Sequence, residues 1–197
     1  MIAIRGIHSN IAFSLIDYCN LQDDVVKVER GCLPPIEAER YLFCQGLLYG
    51  KSRLEQTSQE ISNTYNVNYM NIACACDRLL EYNPIARICV IGSESGISGS
   101  YDECYADAKR LLHHYVETKK IGPKQQLVCV APSIIEDAGM TLRRADVDNL
   151  RRLRDKHPKH AFLSCLQVAR MVHFLLYIDI GYTTNVVVRM NGGQHVL

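Results

Sequence analysis

The chain has 197 residues, 48% of them hydrophobic and 22% charged, which is enough apolar material for one packed domain and too much for a disordered chain. Twenty-two Lys and Arg stand against 21 Asp and Glu, a formal net charge of +1, so no global basic field draws the protein to nucleic acid or anionic lipid. Nine cysteines, odd in number and mostly set in apolar runs, argue against a small disulfide scaffold, and no apolar stretch approaches the ~20 residues of a membrane span.

Ile2-Ala3-Ile4 reads as a strand ending at Arg5-Gly6. Ile11, Ala12, Leu15 and Ile16 recur at helical spacing behind a cap at Ser9 or Asn10. Val25–Val28 is a second strand, Pro34-Pro35 breaks the chain after it, and Tyr41–Cys44 is a third, stopping at Gln45-Gly46. The longest helical signal runs from Ser58 to Leu80 and ends at Asn83-Pro84. Ile88–Ile91 is a buried-type strand, Gly92–Ser100 a Gly/Ser loop, and Tyr101–Thr118 a helix. Leu127–Val130 is the next strand, closed by Pro132. A charged helix over Asp146–Arg154, an apolar helix over Phe162–Ile178 and a β-branched strand over Thr184–Met190 complete the chain.

Near-continuous Val, Ile and Cys strands alternating with helices predict an α/β fold: a three-layer, Rossmann-like, doubly wound parallel sheet. Residues 1–197 are expected to form a single nucleotide-binding and catalytic domain. Ligands in such sheets bind at the carboxyl ends of the strands. The start, Met1–Asn10, carries Arg5 and His8 and lacks a signal-peptide pattern, so a reduced, cytoplasmic protein is expected. Cys74 and Cys76 are two apart on a predicted helix and point about 200° apart, a poor arrangement for one metal. His113-His114 and His173 have no suitably spaced ligand partner. No metal site is expected, and these histidines read as packed or surface residues.

The chemistry concentrates between Ile88 and Lys109. A strand ends in Gly92-Ser93, a glycine-rich loop comes next, and a helix presents Tyr105 and Lys109 four apart, on one face. Tyrosine is a poor acid-base group at neutral pH, with a pKa of about 10, and a neighbouring ammonium favours its phenolate. A Ser93 hydroxyl beside the phenol would hydrogen-bond the same substrate oxygen. Together the three groups can move a proton on and off an oxygen whose carbon undergoes hydride transfer.

This arrangement resembles the short-chain dehydrogenase/reductase family over nearly the whole chain, most strongly from Leu42 to Thr141. The resemblance implies that Ser93, Tyr105 and Lys109 are the catalytic serine, tyrosine and lysine, and that Asn68 anchors a water of the proton relay. Cys44-Gln45-Gly46 resembles the family's Asn-Ala-Gly turn. Ala131-Pro132-Ser133 resembles its Ala-Pro-Gly turn, with Ile134 and Ile135 passing the nicotinamide carboxamide, and Asn191-Gly192-Gly193 its closing Asp-Gly-Gly. The implied cofactor is NAD or NADP. Glu29, at the end of the second strand, favours NAD through the ribose hydroxyls; Arg30 after it would favour the extra phosphate of NADP. The implied substrate is a small alcohol or carbonyl compound, with neither nucleic acid nor membrane as partner.

Three departures accompany the resemblance. The family opens on a phosphate loop with three glycines, whereas Arg5-Gly6-Ile7-His8-Ser9-Asn10-Ile11-Ala12 keeps Gly6 alone, leaving Arg5, Gly6, Asn10 and Ile11 as the cofactor-contacting positions there. Only about a dozen residues separate Val28 from Leu42, so the sheet is shortened by a strand and helix and its adenine side is open. Asp137 stands near the expected pyrophosphate and would repel it unless Arg143 or Arg144 folds over. Arg5 is expected to contact phosphate or pair with Glu29. The alternative to an oxidoreductase is therefore a non-catalytic dinucleotide-binding regulatory or scaffold protein of the same fold. The apolar stripe Tyr65, Tyr69, Ile72 and Cys76, with Leu112 and Tyr115, predicts a homodimer. A tetramer is open through the Phe162–Ile178 helix and the last strand.

Overall fold

The computed structural model describes residues 1–179 and 181–194. Six strands, β1 (Ile2–Arg5), β2 (Val25–Val28), β3 (Arg40–Phe43), β4 (Arg87–Ile91), β5 (Gln126–Pro132) and β6 (Val186–Met190), form one sheet in the order β2-β1-β3-β4-β5-β6. Every pairing is parallel, and both faces carry helices, as the sequence predicts. Strand side chains alternate between faces, so the register lays two cores in rows. Ile4, Leu42, Cys89 and Val128 are aligned across four strands and pack under α1 (Asn10–Cys19) and α8 (Cys165–His173). Ala3, Tyr41, Ile88 and Leu127 form the opposite row. They pack under α3 (Asn71–Tyr82) and α5 (Glu103–Thr118).

The sheet order reverses beside β1: the chain runs outward to β2 and then crosses back to β3. That crossover, residues 29–39, contains no strand or helix, as the short spacing predicts. It is tied down by side chains. Asn83 Nδ2 donates to the Ile36 and Ala38 carbonyls, and the Tyr41 hydroxyl to those of Pro35 and Ile36.

The helix predicted over Ser58–Leu80 is interrupted. It comprises α2 (Ser58–Tyr65), a π-helical turn at Asn66–Met70, and α3. Within the predicted Gly92–Ser100 loop lies one short helical turn, α4 (Ser95–Ser98), and a second, α6 (Gly139–Leu142), comes after β5. The charged helix α7 (Val147–Lys156) buries no residue. The last apolar helix starts only at Cys165, where Ser164 and Gln167 form a capping box. It ends in a π-helical turn at Phe174–Ile178.

Candidate active site

The strands end along one edge, and the predicted chemistry gathers there. Past β4 the chain is fixed by two backbone bonds to β5: Gly92 N–H to the Val130 carbonyl and Glu94 N–H to that of Pro132, both 2.8 Å. Buried Glu94 is gripped by Arg189 on β6 and accepts from Asn191 Nδ2 at 3.1 Å. This pins the residue after Ser93 to the far strand. Asn191-Gly192-Gly193 turns with φ of +60° and +86° at the two glycines, values that favour glycine.

Helix α5 begins at the N-cap Asp102, whose Oδ1 accepts from Tyr105 N–H at 3.0 Å. The other oxygen accepts from the Tyr49 and Gly50 amides, and Gln56 donates to Oδ1. Asp102 therefore locks the first turn of α5, and with it Tyr105, to the segment after β3. Sequence reasoning passed over Asp102 and Glu94. The available signal for Asp102 was an acid three residues before Tyr105, a capping spacing.

Tyr105 is 8% exposed and opens, with Ser93, onto a cleft of about 250 Å³. Leu48, Ser133, Ile134, Ile135, Met140 and Arg144 are among the other residues of its wall. Burial pushes the Tyr105 phenol above its ordinary pKa; a hydrogen bond from Ser93 pulls it partly back. Lys109 is 2% exposed, its Nζ donating to the Ile91 carbonyl at 2.8 Å and lying 5.8 Å from the Tyr105 ring centre. Burial lowers the Lys109 pKa to about 8. The charge logic of the sequence thus needs correcting for this state. Ser93, not Lys109, favours the phenolate, because the ammonium is turned inward onto Ile91.

Asn68 is fully buried in the π-helical turn. Its amide donates to Thr64 O at 2.9 Å and Leu47 O at 2.8 Å, and its oxygen accepts from Leu47 N–H at 3.1 Å. One side chain thereby satisfies a carbonyl within the widened turn and fixes the backbone just past Gly46. π-helical turns often mark functional positions.

The cofactor-side residues divide. Gly6 adopts φ +90°, and a Cβ there would meet Gln45 N at 2.6 Å and Cys44 C at 2.8 Å; it is glycine for the close packing of β1 on the β3 turn. Cys44 donates its thiol to the Gly6 carbonyl at 3.2 Å, and burial pushes that thiol up to about 12. Gly46 is exposed, yet Met140 Cε sits 2.7 Å from where its Cβ would be. Ser9 caps Ile11 N–H, and Asn10 Nδ2 donates across to the Asp137 carbonyl. Ala12 is fully buried in the core under α1. Pro132, Ser133, Ile134 and Ile135 lie at and just past the end of β5, held by the Ile135–Leu163 bridge. Glu29 and Arg30 are both exposed beyond β2.

Two predicted pairings do not form. Arg5 Nη1 donates to the Asn71 carbonyl on α3 at 3.2 Å rather than reaching Glu29, because β1 points it at the helix. Asp137 receives the Cys165 N–H at 2.7 Å, its charge placed at the start of α8, where the helix dipole favours an anion. Arg144 instead grips Asp146 at 2.8 and 2.6 Å. The interface stripe also needs revision: Ile72, Cys76 and Leu112 are fully buried in the chain's own core.

A nicotinamide dinucleotide fits the residues unevenly. The exposed Gly46, and Gln45 with its buried Oε1 lacking a partner, leave capacity for a polar ligand beside the Ser93–Tyr105 cleft. At the phosphate end the segment 137–140 lies over Asn10 and Gly46 and would have to shift. Among the described residues no group of three His, Cys, Asp or Glu is arranged to hold a metal, and no helix is long and apolar enough to cross a membrane.

This sheet order, with its site at the strand ends, is the fold of the short-chain dehydrogenases/reductases. The chain is similar to an oxidoreductase of that family from Burkholderia thailandensis (TM-score 0.83, 15% identity, covering 98% of this chain and 91% of that one). It is similar also to Thermoplasma acidophilum aldohexose dehydrogenase in ligand-free form (TM-score 0.80, 13% identity, 98% and 93%). A third likeness is to an actinorhodin polyketide ketoreductase variant with NADPH (TM-score 0.77, 12% identity, 98% and 96%). No family model and no curated protein matches the sequence.

Proposed function

We propose that the chain is a nicotinamide-dependent oxidoreductase acting between a small alcohol and its carbonyl compound. The observation that carries the reading is the convergence of Ser93 and Tyr105 on one cleft, with Lys109 one turn further along α5. A bound nicotinamide would supply or accept the hydride. In the reducing direction the Tyr105 hydroxyl gives its proton to the substrate oxygen, and the single O–H of Ser93 donates to that same oxygen and orients it. Lys109, released from Ile91, would hold the nicotinamide ribose and place its ammonium beside the phenolate. Asn68 holds the backbone at Leu47; to anchor a relay water, as the resemblance implies, its side chain would have to give up one of its bonds to Leu47 or Thr64.

Gly6, Asn10, Ile11, Cys44, Gln45, Gly46 and Pro132–Ile135 would form the cofactor groove. The ketoreductase with NADPH supports a nicotinamide cofactor. Glu29, the first residue past β2, tilts the choice slightly to NAD, and Arg30 keeps NADP open. Nine free thiols accord with a reducing, cytoplasmic setting. For the homodimer we retain the α2–α3 and α5 faces, now through exposed Met70, Tyr101 and Leu111.

A second reading, a non-catalytic dinucleotide-binding protein, is favoured by the segment 137–140 lying over the phosphate end. A screen of carbonyls and alcohols with both cofactors, monitored at 340 nm, separates the two. Turnover of at least one substrate class is expected; saturable cofactor binding with no turnover across the screen supports the second reading.

A further inference from the structure

We propose that His113 is a positioning residue: it holds the Ser93 amide, and through it keeps the Ser93 hydroxyl in the cleft it shares with Tyr105. The inference rests on the reading of Ser93 and Tyr105 as the reacting pair, and assigns a role to a side chain outside it. Tyr105, Lys109 and His113 are spaced by four on α5, and so line one face of the helix. His113 is buried, and its Nε2 accepts the Ser93 N–H at 3.4 Å.

The loop is shaped around this ring. A Cβ at Gly92 would collide with His113 Nε2, and one at Gly96 would lie 2.8 Å from His113 Cε1. Neither glycine has a positive φ, so backbone conformation does not require glycine at either place. Space does: the two glycines that bracket Ser93 share the imidazole as a neighbour, and at Gly96 the α5 backbone at Lys109 and Arg110 lies as close. An imidazole accepts at Nε2 only when neutral, with its hydrogen on Nδ1. Burial and the Lys109 ammonium keep it neutral, lowering its pKa to about 4 against the opposing pull of Glu94. Cys129, beside the ring on the same side of Gly92, carries a thiol that burial holds protonated, its pKa pushed up to about 12. The ring therefore faces Lys109, Glu94 and a neutral thiol, and acts as a fixed acceptor throughout the neutral range.

The test uses the full-length protein labelled at histidine and backbone nitrogens and at the tyrosine Cζ. Acidification from pH 7 to about 2.5 should move the Ser93 amide and the Tyr105 Cζ resonances with the midpoint of the His113 ring nitrogens. In Ser93→Ala the Tyr105 response should vanish while His113 still titrates. Resonances of Ser93 and Tyr105 that ignore the His113 midpoint overturn the proposal, whatever the protein turns out to catalyse. Where a substrate is in hand, His113→Leu should lower kcat by about tenfold to a hundredfold, the scale of a misplaced reacting group, with KM for cofactor unchanged. His113→Gln, which restores an acceptor, should recover most of the rate, and His113→Leu should add nothing to Ser93→Ala. Additive losses in that pair would overturn the proposal as well. A coupled titration in a protein that turns nothing over upholds the positioning and removes only the oxidoreductase reading.

Discussion

The two ends of the cleft are built by different means. At the β4–α5 end, groups are fixed by polar contacts made for the purpose: Asp102 on Tyr105 N–H, His113 on Ser93 N–H, Lys109 on Ile91, Glu94 on Arg189. At the β1–α1 end, Gly6 serves β3 packing, Ala12 is core, and Asn10 is occupied with Asp137. One end holds its polar side chains by contacts of their own, and at the other the positions proposed to face phosphate are taken up by packing and by the Asp137 contact. The difference teaches that the two ends of one cleft need not be fixed by the same kind of contact.

The largest expected effect breaks the first end. Tyr105→Phe keeps the ring and removes the proton; general acid–base catalysis is worth ~10²–10⁴-fold, so kcat should fall at least about 100-fold with an unchanged circular-dichroism spectrum. Full kcat in a folded variant would remove Tyr105 from the chemistry.

Next comes Lys109→Met. Lys109 titrates at about 8 when folded and about 10.4 when unfolded. The unfolded chain therefore binds the extra proton between these values, and stability rises with pH across that window. Below it the buried ammonium is a cost, up to about 3 kcal/mol. Removing it while leaving the Ile91 carbonyl unpaired should stabilise the protein by about 0–2 kcal/mol at pH 7, read from urea midpoints, with turnover lost. A destabilised Lys109→Met would mean that its bond to Ile91 outweighs its burial.

His113 gives the third effect, with the same sign. Its folded value of about 4 lies below the ordinary 6.5, so stability is lost as pH falls from 6.5 towards 4, by about 3 kcal/mol in all. His113→Gln should flatten that slope in urea titrations.

Which forces set each feature decides how much of it was legible in the sequence. Strand runs such as Ile88–Ile91 and the capped α1 carry their own local signals, and the shortened β2–β3 crossover is a matter of chain length. Ser93, Tyr105 and Lys109 were legible because strand–loop–helix spacing alone brings them together. The direction of the Lys109 ammonium was not, since it depends on the Ile91 carbonyl and on burial. Nor was the break at Asn68: the π-helical turn is held by Thr64 and Leu47, partners that no helical periodicity reveals. Arg5 failed for the same reason, its target being the Asn71 carbonyl, 66 residues away.

The smallest effect sharpens the second end. Asn10→Ala with Met140→Ala removes two of the contacts that hold segment 137–140 over the groove, leaving that of Asp137 to Cys165. Each hydrogen bond or buried methyl group is worth about 1 kcal/mol, so dinucleotide affinity should rise by up to roughly thirtyfold. Weaker binding in that variant would show that the segment helps hold the cofactor.

Calorimetric titration of the wild-type protein with NADH and NADPH tests the account at its centre, since both ends of the cleft must serve one ligand. Saturable binding of at least one dinucleotide is predicted, weakened in Lys109→Met because the proposed role of that lysine is to leave Ile91 and hold the ribose. No heat with either dinucleotide at millimolar concentration would contradict the account, and the cleft at Ser93 and Tyr105 would then belong to some other chemistry.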